Sequence, residues 1–384
     1  MKKARENLAL VNWWRVGGSN SRPSDCEPDA LPAELTPHIA CYYIQPMKNA
    51  RAPLSDPLAL LGAVLAIEFA WLPALCLVGG HPAWPLFMGL VGLPVLELAA
   101  GDYQGPIPHW NFWVLRVILI GITVQGLLGA YWAQHYPWWL VVLAGAGSGY
   151  AAGSSGNALG HELGHSRNAW DRRLAKWFFT TVCFGHYTQE HGAGHHVLVG
   201  TPKDSLFTNV HDTFTTFSKR NMVKQLRRGI EIARARGNLW SEVYGPAFFY
   251  GVLNAGMLAL AGWKGVLFLT VQTLVVYLVD ASITFIQHWA LYRKTVGGRY
   301  ERIGPQHIWD CRNWITTLVS FNNCRHADHH LHPGKDLNAL ALTPSAPQLP
   351  YGYAVMGTLA NVPSLFRRVM ERVPGAKLNR SPGT

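Results

Sequence analysis

Charge is scarce in this sequence: of 384 residues only 14% are Asp, Glu, Lys or Arg, against 49% hydrophobic residues and sixteen Trp. That balance excludes an ordinary soluble domain and is the balance of a membrane protein. The six cysteines (Cys26, Cys41, Cys76, Cys183, Cys311, Cys324) include no Cys-x-x-Cys pair. This excludes a fused rubredoxin or zinc ribbon and argues against a disulfide scaffold, so an electron carrier, if one is needed, has to be a separate protein. An apolar leader is also missing from the first 50 residues, so no cleavable signal peptide is expected. Residues 1–56 read as an N-terminal cytoplasmic segment without helical or strand period, expected to be largely disordered, and 374–384 as a C-terminal tail. No basic stretch is interleaved with aromatics as in a nucleic-acid motif, so the net charge of +11 does not point to nucleic acid.

What is present is a set of long apolar runs. Six approach the roughly 20 residues that a helix needs to cross a bilayer: 58–78, 84–100, 112–133, 138–159, 246–263 and 265–291. They fall into three pairs with short connections, which predicts an all-α membrane domain over 57–373, built of six transmembrane helices in three hairpins. Of 33 Lys and Arg, 31 lie before residue 58, between 160 and 245, or after 291. All these segments fall on one side, which the positive-inside rule makes cytoplasmic, together with both termini. Contact with anionic lipid headgroups accounts for the basic balance. The run of small residues Gly145, Gly147, Gly149, Gly153, Ser154, Ser155 and Gly156 in the fourth span reads as close helix packing or as space for a substrate channel.

Imidazole is the second excess. Nine of seventeen histidines form four groups on that one side: His161 and His165 in "HELGH", His191, His195 and His196 in "HGAGHH", His288 in "IQHWAL", and His326, His329 and His330 in "RHADHH". A spacing of four places His161 over His165 on one helix face, and predicts the same of His191 and His195. A catalytic zinc uses three protein ligands, so "HELGH" alone would read as a zinc protease with Glu162 as general base and Asp280 as the later ligand. Nine imidazoles are too many for that, and imply a cytoplasmic histidine-rich cap holding two metals with four or five nitrogens each. Glu162, Glu190 and Asp328 adjoin ligand candidates, where they could orient an imidazole N–H.

Taken in order, "HELGH", "EHGAGHH", "IQHWAL" and "RHADHH", with "YERIGPQHIWD" before the last and "APQLPYGYA" after it, resemble the membrane-bound non-haem di-iron alkane monooxygenases. Relatives of that family include the xylene monooxygenase hydroxylase subunit and, further off, the membrane fatty-acid desaturases. The resemblance implies two iron ions held by His161, His165, His191, His195, His196, His288, His326, His329 and His330. It also implies a bacterial inner-membrane enzyme that hydroxylates the terminal methyl of a hydrophobic substrate, such as a medium- or long-chain alkane, with O2 and two external electrons. Those electrons would come from a soluble rubredoxin or ferredoxin with its NAD(P)H-dependent reductase. Arg325, directly before His326, is the expected docking residue for that carrier. Alternatives are hydroxylation of alkyl-aromatic methyl groups, or fatty-acyl desaturation or decarboxylation; desaturases typically carry His-x-x-His-His in the middle cluster, where this chain has His-x-x-x-His-His.

Overall fold

A computed structural model describes residues 71–103, 105 and 107–373; the expected N-terminal segment, residues 58–70 of the first span and the C-terminal tail lie outside them. The described chain is mostly helical. After helical residues 71–78 come α1 (Trp84–Ala100), α2 (Phe112–His135), α3 (residues 138–165), α4 (Ala169–Thr181), α5 (residues 187–198), α6 (Phe214–Ala235) and α7 (Trp240–His288). The short helices α8 (Trp314–Val319), α9 (His326–Leu331), α10 (Tyr353–Ala360) and α11 (Pro363–Met370) follow. The described strands are an antiparallel hairpin of Thr295–Val296 and Arg299–Tyr300, turned by Gly297 and Gly298 at φ 59° and 76°.

Among the described residues two helices are long and apolar enough to cross a membrane, α2 (24 residues, mean hydropathy 1.8) and α7 (49 residues, mean hydropathy 1.9), while α1 is apolar but shorter. α7 is two arms, because Gly262 adopts φ 66°, ψ −167°, a conformation open to glycine. The arms fold back on each other: Tyr250 Oη lies 2.8 Å from Thr273 Oγ1 and 3.3 Å from the Leu269 carbonyl. The fifth and sixth apolar runs thus form a hairpin turned at Gly262. Outward faces carry Leu90, Val95, Val117, Leu128, Phe248, Val252, Leu274 and Leu278, with exposed Trp113, Trp138, Trp240 and Trp263 near the helix ends. Such a belt is costly in water and natural in lipid.

The glycines of α3 resolve the choice between packing and channel. A Cβ on Gly149 would stand 2.6 Å from the Gln272 carbonyl oxygen, one on Gly145 2.9 Å from the Phe268 oxygen, and one on Gly153 2.8 Å from Val279 Cβ. Each glycine is therefore a point where α3 lies directly on the second arm of α7, so close packing holds at these positions rather than a channel wall.

Charged residues inside the apolar runs join segments. Glu97 of α1 is 1% exposed and accepts from Thr316 Oγ1 at 2.6 Å and from the Ala354 and Val355 N–H groups at 3.1 and 2.9 Å. It thereby satisfies the open N-terminal donors of α10, where Gly352 supplies no side-chain cap. Arg116 of α2 donates to Asp171 of α4 at 2.6 and 3.3 Å, and Lys264 donates to the Gln134 carbonyl at the far end of the bundle.

Gly149→Leu should therefore force α3 away from α7. We expect a loss of about 1–3 kcal/mol, the cost of overpacking, read as a lower midpoint of thermal unfolding in detergent; an unshifted midpoint would contradict the close contact.

Candidate metal centre

Four segments deliver the nine histidines to one place. His161 and His165 stand on the last turns of α3, one turn apart, with Nε2 atoms 3.1 Å apart. α5 contains a π-helical turn over His191–His195. With bonds reaching i+5 rather than i+4, His191 comes to face His196, Nε2 to Nε2 at 3.0 Å. The expected pairing of His191 with His195 is thus corrected: the wider turn sends these two rings to different groups. His288 ends α7, and α9 supplies His326, His329 and His330.

The result is two clusters of nitrogens. One is His161, His165, His191, His196 and His329, the other His195, His288, His326 and His330, and within each group the ligand atoms lie within 4.8 Å of one another. His329 Nε2 is 3.2 Å from His196 Nε2, His326 Nε2 is 3.3 Å from His288 Nε2, and His330 Nε2 is 3.0 Å from His326 Nε2. Two nitrogens bound at right angles to one metal, each at about 2.1 Å, sit about 3 Å apart. The spacing is therefore that of neighbouring ligands on a shared ion. Seven of the nine are buried, and His165 and His196 are half-buried. The donor set is all nitrogen, so both groups suit an imidazole-binding transition metal such as iron.

The surroundings fix the rings. Asp204 Oδ2 lies 2.9 Å from His195 Nδ1. Glu162 reaches between two ligands, 3.7 Å from His161 Nδ1 and 3.5 Å from His329 Nδ1, and accepts from the Asn323 amide at 2.5 Å. The Asn323 amide also lies 2.9 Å from His161 Nδ1, and Tyr187 stacks on His191 with ring centroids 5.0 Å apart. Asp310 takes the Ala327 N–H at 2.7 Å and the Thr343 N–H at 3.1 Å, so it caps α9 from outside and sets the three histidines there.

Several expected roles change. Asp328 is occupied by His332 at 2.8 Å, Lys335 at 2.5 Å and the Ala341 N–H at 2.8 Å; it ties down the chain after α9 and orients no ligand. Glu190 accepts from Ser205 Oγ rather than from an imidazole. The carboxylate on a ligand ring is Asp204, nine residues beyond His195, which carries no sequence signal because a loop brings it back. Arg325 is only 3% exposed, so its guanidinium is not on a docking surface. Burial raises the carboxyl of Asp310 to about 6, against the lowering effect of the Ala327 and Thr343 N–H groups and, less, of the Arg325 charge. Asp280 is bound to Asn157 at 2.7 Å and belongs to neither group, which removes the expected third ligand of a zinc protease. His186, His307 and His332 also stand outside both groups.

Relatives carry the same reading further. The fatty acid desaturase family profile matches residues 136–360. Alkane 1-monooxygenase of Pseudomonas putida is 32% identical over 330 residues, 78% of this chain and 82% of its own length. The enzyme of Ectopseudomonas oleovorans is 33% identical over the same shares, and alkane 1-monooxygenase 1 of Alcanivorax borkumensis is 33% identical over 78% of this chain and 81% of its own. The helical fold and the paired histidine groups are those of a desaturase-type oxidoreductase, and the chain belongs to the alkane 1-monooxygenase family.

Electrostatics yields a test. Burial first, and then repulsion from neighbouring imidazoles, holds His161, His191, His196, His326, His329 and His330 well below the usual histidine value of 6.5. Burial would lower His195 too, but Asp204 overrides it and raises that ring. A group whose folded value is depressed leaves the unfolded chain to take up protons that the folded chain refuses. Stability is then present above pH 6.5 and lost as pH falls below it. Glu162 and Glu190, raised by burial to about 8 and about 7, act in the opposite sense, but the six depressed rings outnumber them. The metal-free protein should therefore show a thermal midpoint that drops from pH 7 to pH 5; a midpoint that rises or stays flat would contradict the burial of these rings together.

Proposed function

We propose that this chain is a membrane di-iron monooxygenase that hydroxylates the terminal methyl of an alkane, with O2 and two electrons from a soluble carrier. The observation that carries the reading is the pair of converging nitrogen groups, five and four, at the ends of apolar helices in a chain of this family. His161, His165, His191, His196 and His329 would hold one iron, and His195, His288, His326 and His330 the other. Iron held there would supply the redox chemistry that passes the carrier's two electrons to dioxygen, in the overall balance RH + O2 + 2 electrons + 2 protons giving ROH + H2O.

The protein's own part is to hold and to exclude. Neutral imidazoles bind the ions without bringing further negative charge into a buried site. Trp110, Phe178, Phe179, Phe321 and Leu163 form an apolar core on the α3 and α4 side that keeps bulk water away. In the membrane we place the six apolar runs as spans of a bacterial inner membrane, with the histidine groups and both termini cytoplasmic. The distribution of Lys and Arg supports this orientation, as does the Arg116 pair with Asp171 at the site end. A separate acidic carrier, rubredoxin or ferredoxin with its reductase, would then meet a basic cytoplasmic face, with Arg325 excluded by its burial.

The direct test is product analysis after separate incubations with octane, hexadecane, a methylbenzene and a saturated fatty-acyl thioester under oxygen-18. We expect labelled 1-alkanol; labelled benzylic alcohol alone would move the substrate to alkyl-aromatics, and an unlabelled alkene from an acyl substrate would make the chain a desaturase. At residue level, His329→Ala should abolish turnover and lower bound iron, whereas His211→Ala, at an exposed position outside both groups, should leave both unchanged. Full iron and activity in His329→Ala would remove that residue from the site.

A further inference from the structure

The nine imidazoles differ in what stands behind them. His191, His196, His288, His326, His329 and His330 have Nδ1 atoms that are buried with no hydrogen-bond partner among the described residues. His161 Nδ1 meets the amide of Asn323. Among the described residues, His195 alone of the nine has a carboxylate within hydrogen-bond distance of a ring nitrogen: Asp204 Oδ2 at 2.9 Å, with both side chains 1% exposed.

Asp204 is placed there by its own loop. α5 closes with Val199 N–H donating to the His195 carbonyl at 2.7 Å, Gly200 turns the chain at φ 72°, and the Asp204 N–H donates to the Thr201 carbonyl at 3.0 Å. The other carboxylate oxygen, Oδ1, accepts the Leu206 N–H at 3.0 Å. The Arg293 N–H donates to the Gly200 carbonyl at 2.7 Å and so pins this loop to the chain just beyond His288. Both carboxylate oxygens are thus in use, and the one aimed at the ring cannot turn away.

We propose that Asp204 is a positioning residue that makes the four-histidine metal position chemically distinct from the five-histidine one. With Nε2 directed at the metal, Nδ1 carries the proton and donates to Asp204. The carboxylate then fixes the tautomer and tilt of His195, raises its basicity as a ligand, and adds one fixed negative charge to a position otherwise built of neutral rings. The five-histidine position has Glu162, which stands 3.7 and 3.5 Å from His161 and His329 and makes no hydrogen bond to either ring. The proposal rests on the reading that each group binds one iron.

The experiment is Mössbauer spectroscopy of the full chain in detergent, loaded anaerobically with iron-57 as Fe(II). Wild type should give two ferrous doublets of about equal area and different splitting. Asp204→Asn keeps the shape and the acceptor for Leu206, but removes the charge and the acceptor for His195. It should shift or deplete one doublet, leave the other in place, and weaken Fe(II) binding at that position by about 10–100-fold. Asp204→Glu should restore part of the affinity. A merely structural role would deplete both doublets together, and that result, or an unchanged spectrum, overturns the proposal. Should Asp204→Asn fail to fold, a wild-type spectrum with two identical irons overturns it as well. Wild type that binds no iron at all would instead defeat the two-iron reading beneath it.

Discussion

Nine imidazoles gathered in a buried space, with ring nitrogens about 3 Å apart, bring together more acceptor lone pairs than their N–H protons can satisfy, and a cation among them relieves that conflict. Such a group of nitrogens occurs twice, side by side. The rest of the fold serves to deliver four segments to that place within tenths of an ångström. The π-helical turn in α5 brings His191 to His196 and leaves His195 for the other group. Asp310 caps the six-residue helix that bears three of the nine rings. Glycines let α3 lie directly on the second arm of α7, which fixes His161 and His165 relative to His288.

The same economy governs the acids. Glu97, Asp171 and Asp310 are all buried, and each receives donors from a segment remote in sequence. A buried carboxylate without partners would be costly; with them it becomes a clamp between the helical bundle and the segments over the metal centre. An apolar helix can therefore carry a buried carboxylate such as Glu97 without exposing its charge.

Much of the site was legible in the sequence, because one helical turn is a fixed distance. His161 and His165 do stand in the same group, as their spacing of four implies. The partition of the middle cluster was not legible, since a π-helical turn leaves no compositional mark and shifts every later residue by one position around the axis. Asp204 and Asn323 were hidden because their partners lie across loops or across the fold. Arg325 looked exposed because it adjoins a ligand and carries charge; burial is a property of the folded chain that adjacency does not report. In the fold, the hairpin of the last two long runs was visible from length alone, while its turn depends on the backbone freedom of Gly262.

The central claim is that both groups hold iron at once. Elemental analysis of the full chain, produced in iron-replete medium and purified in detergent, measures it directly. Two irons per chain, with no stoichiometric zinc, is the expected result. A single zinc per chain, or one iron that does not rise on anaerobic reconstitution, would contradict it.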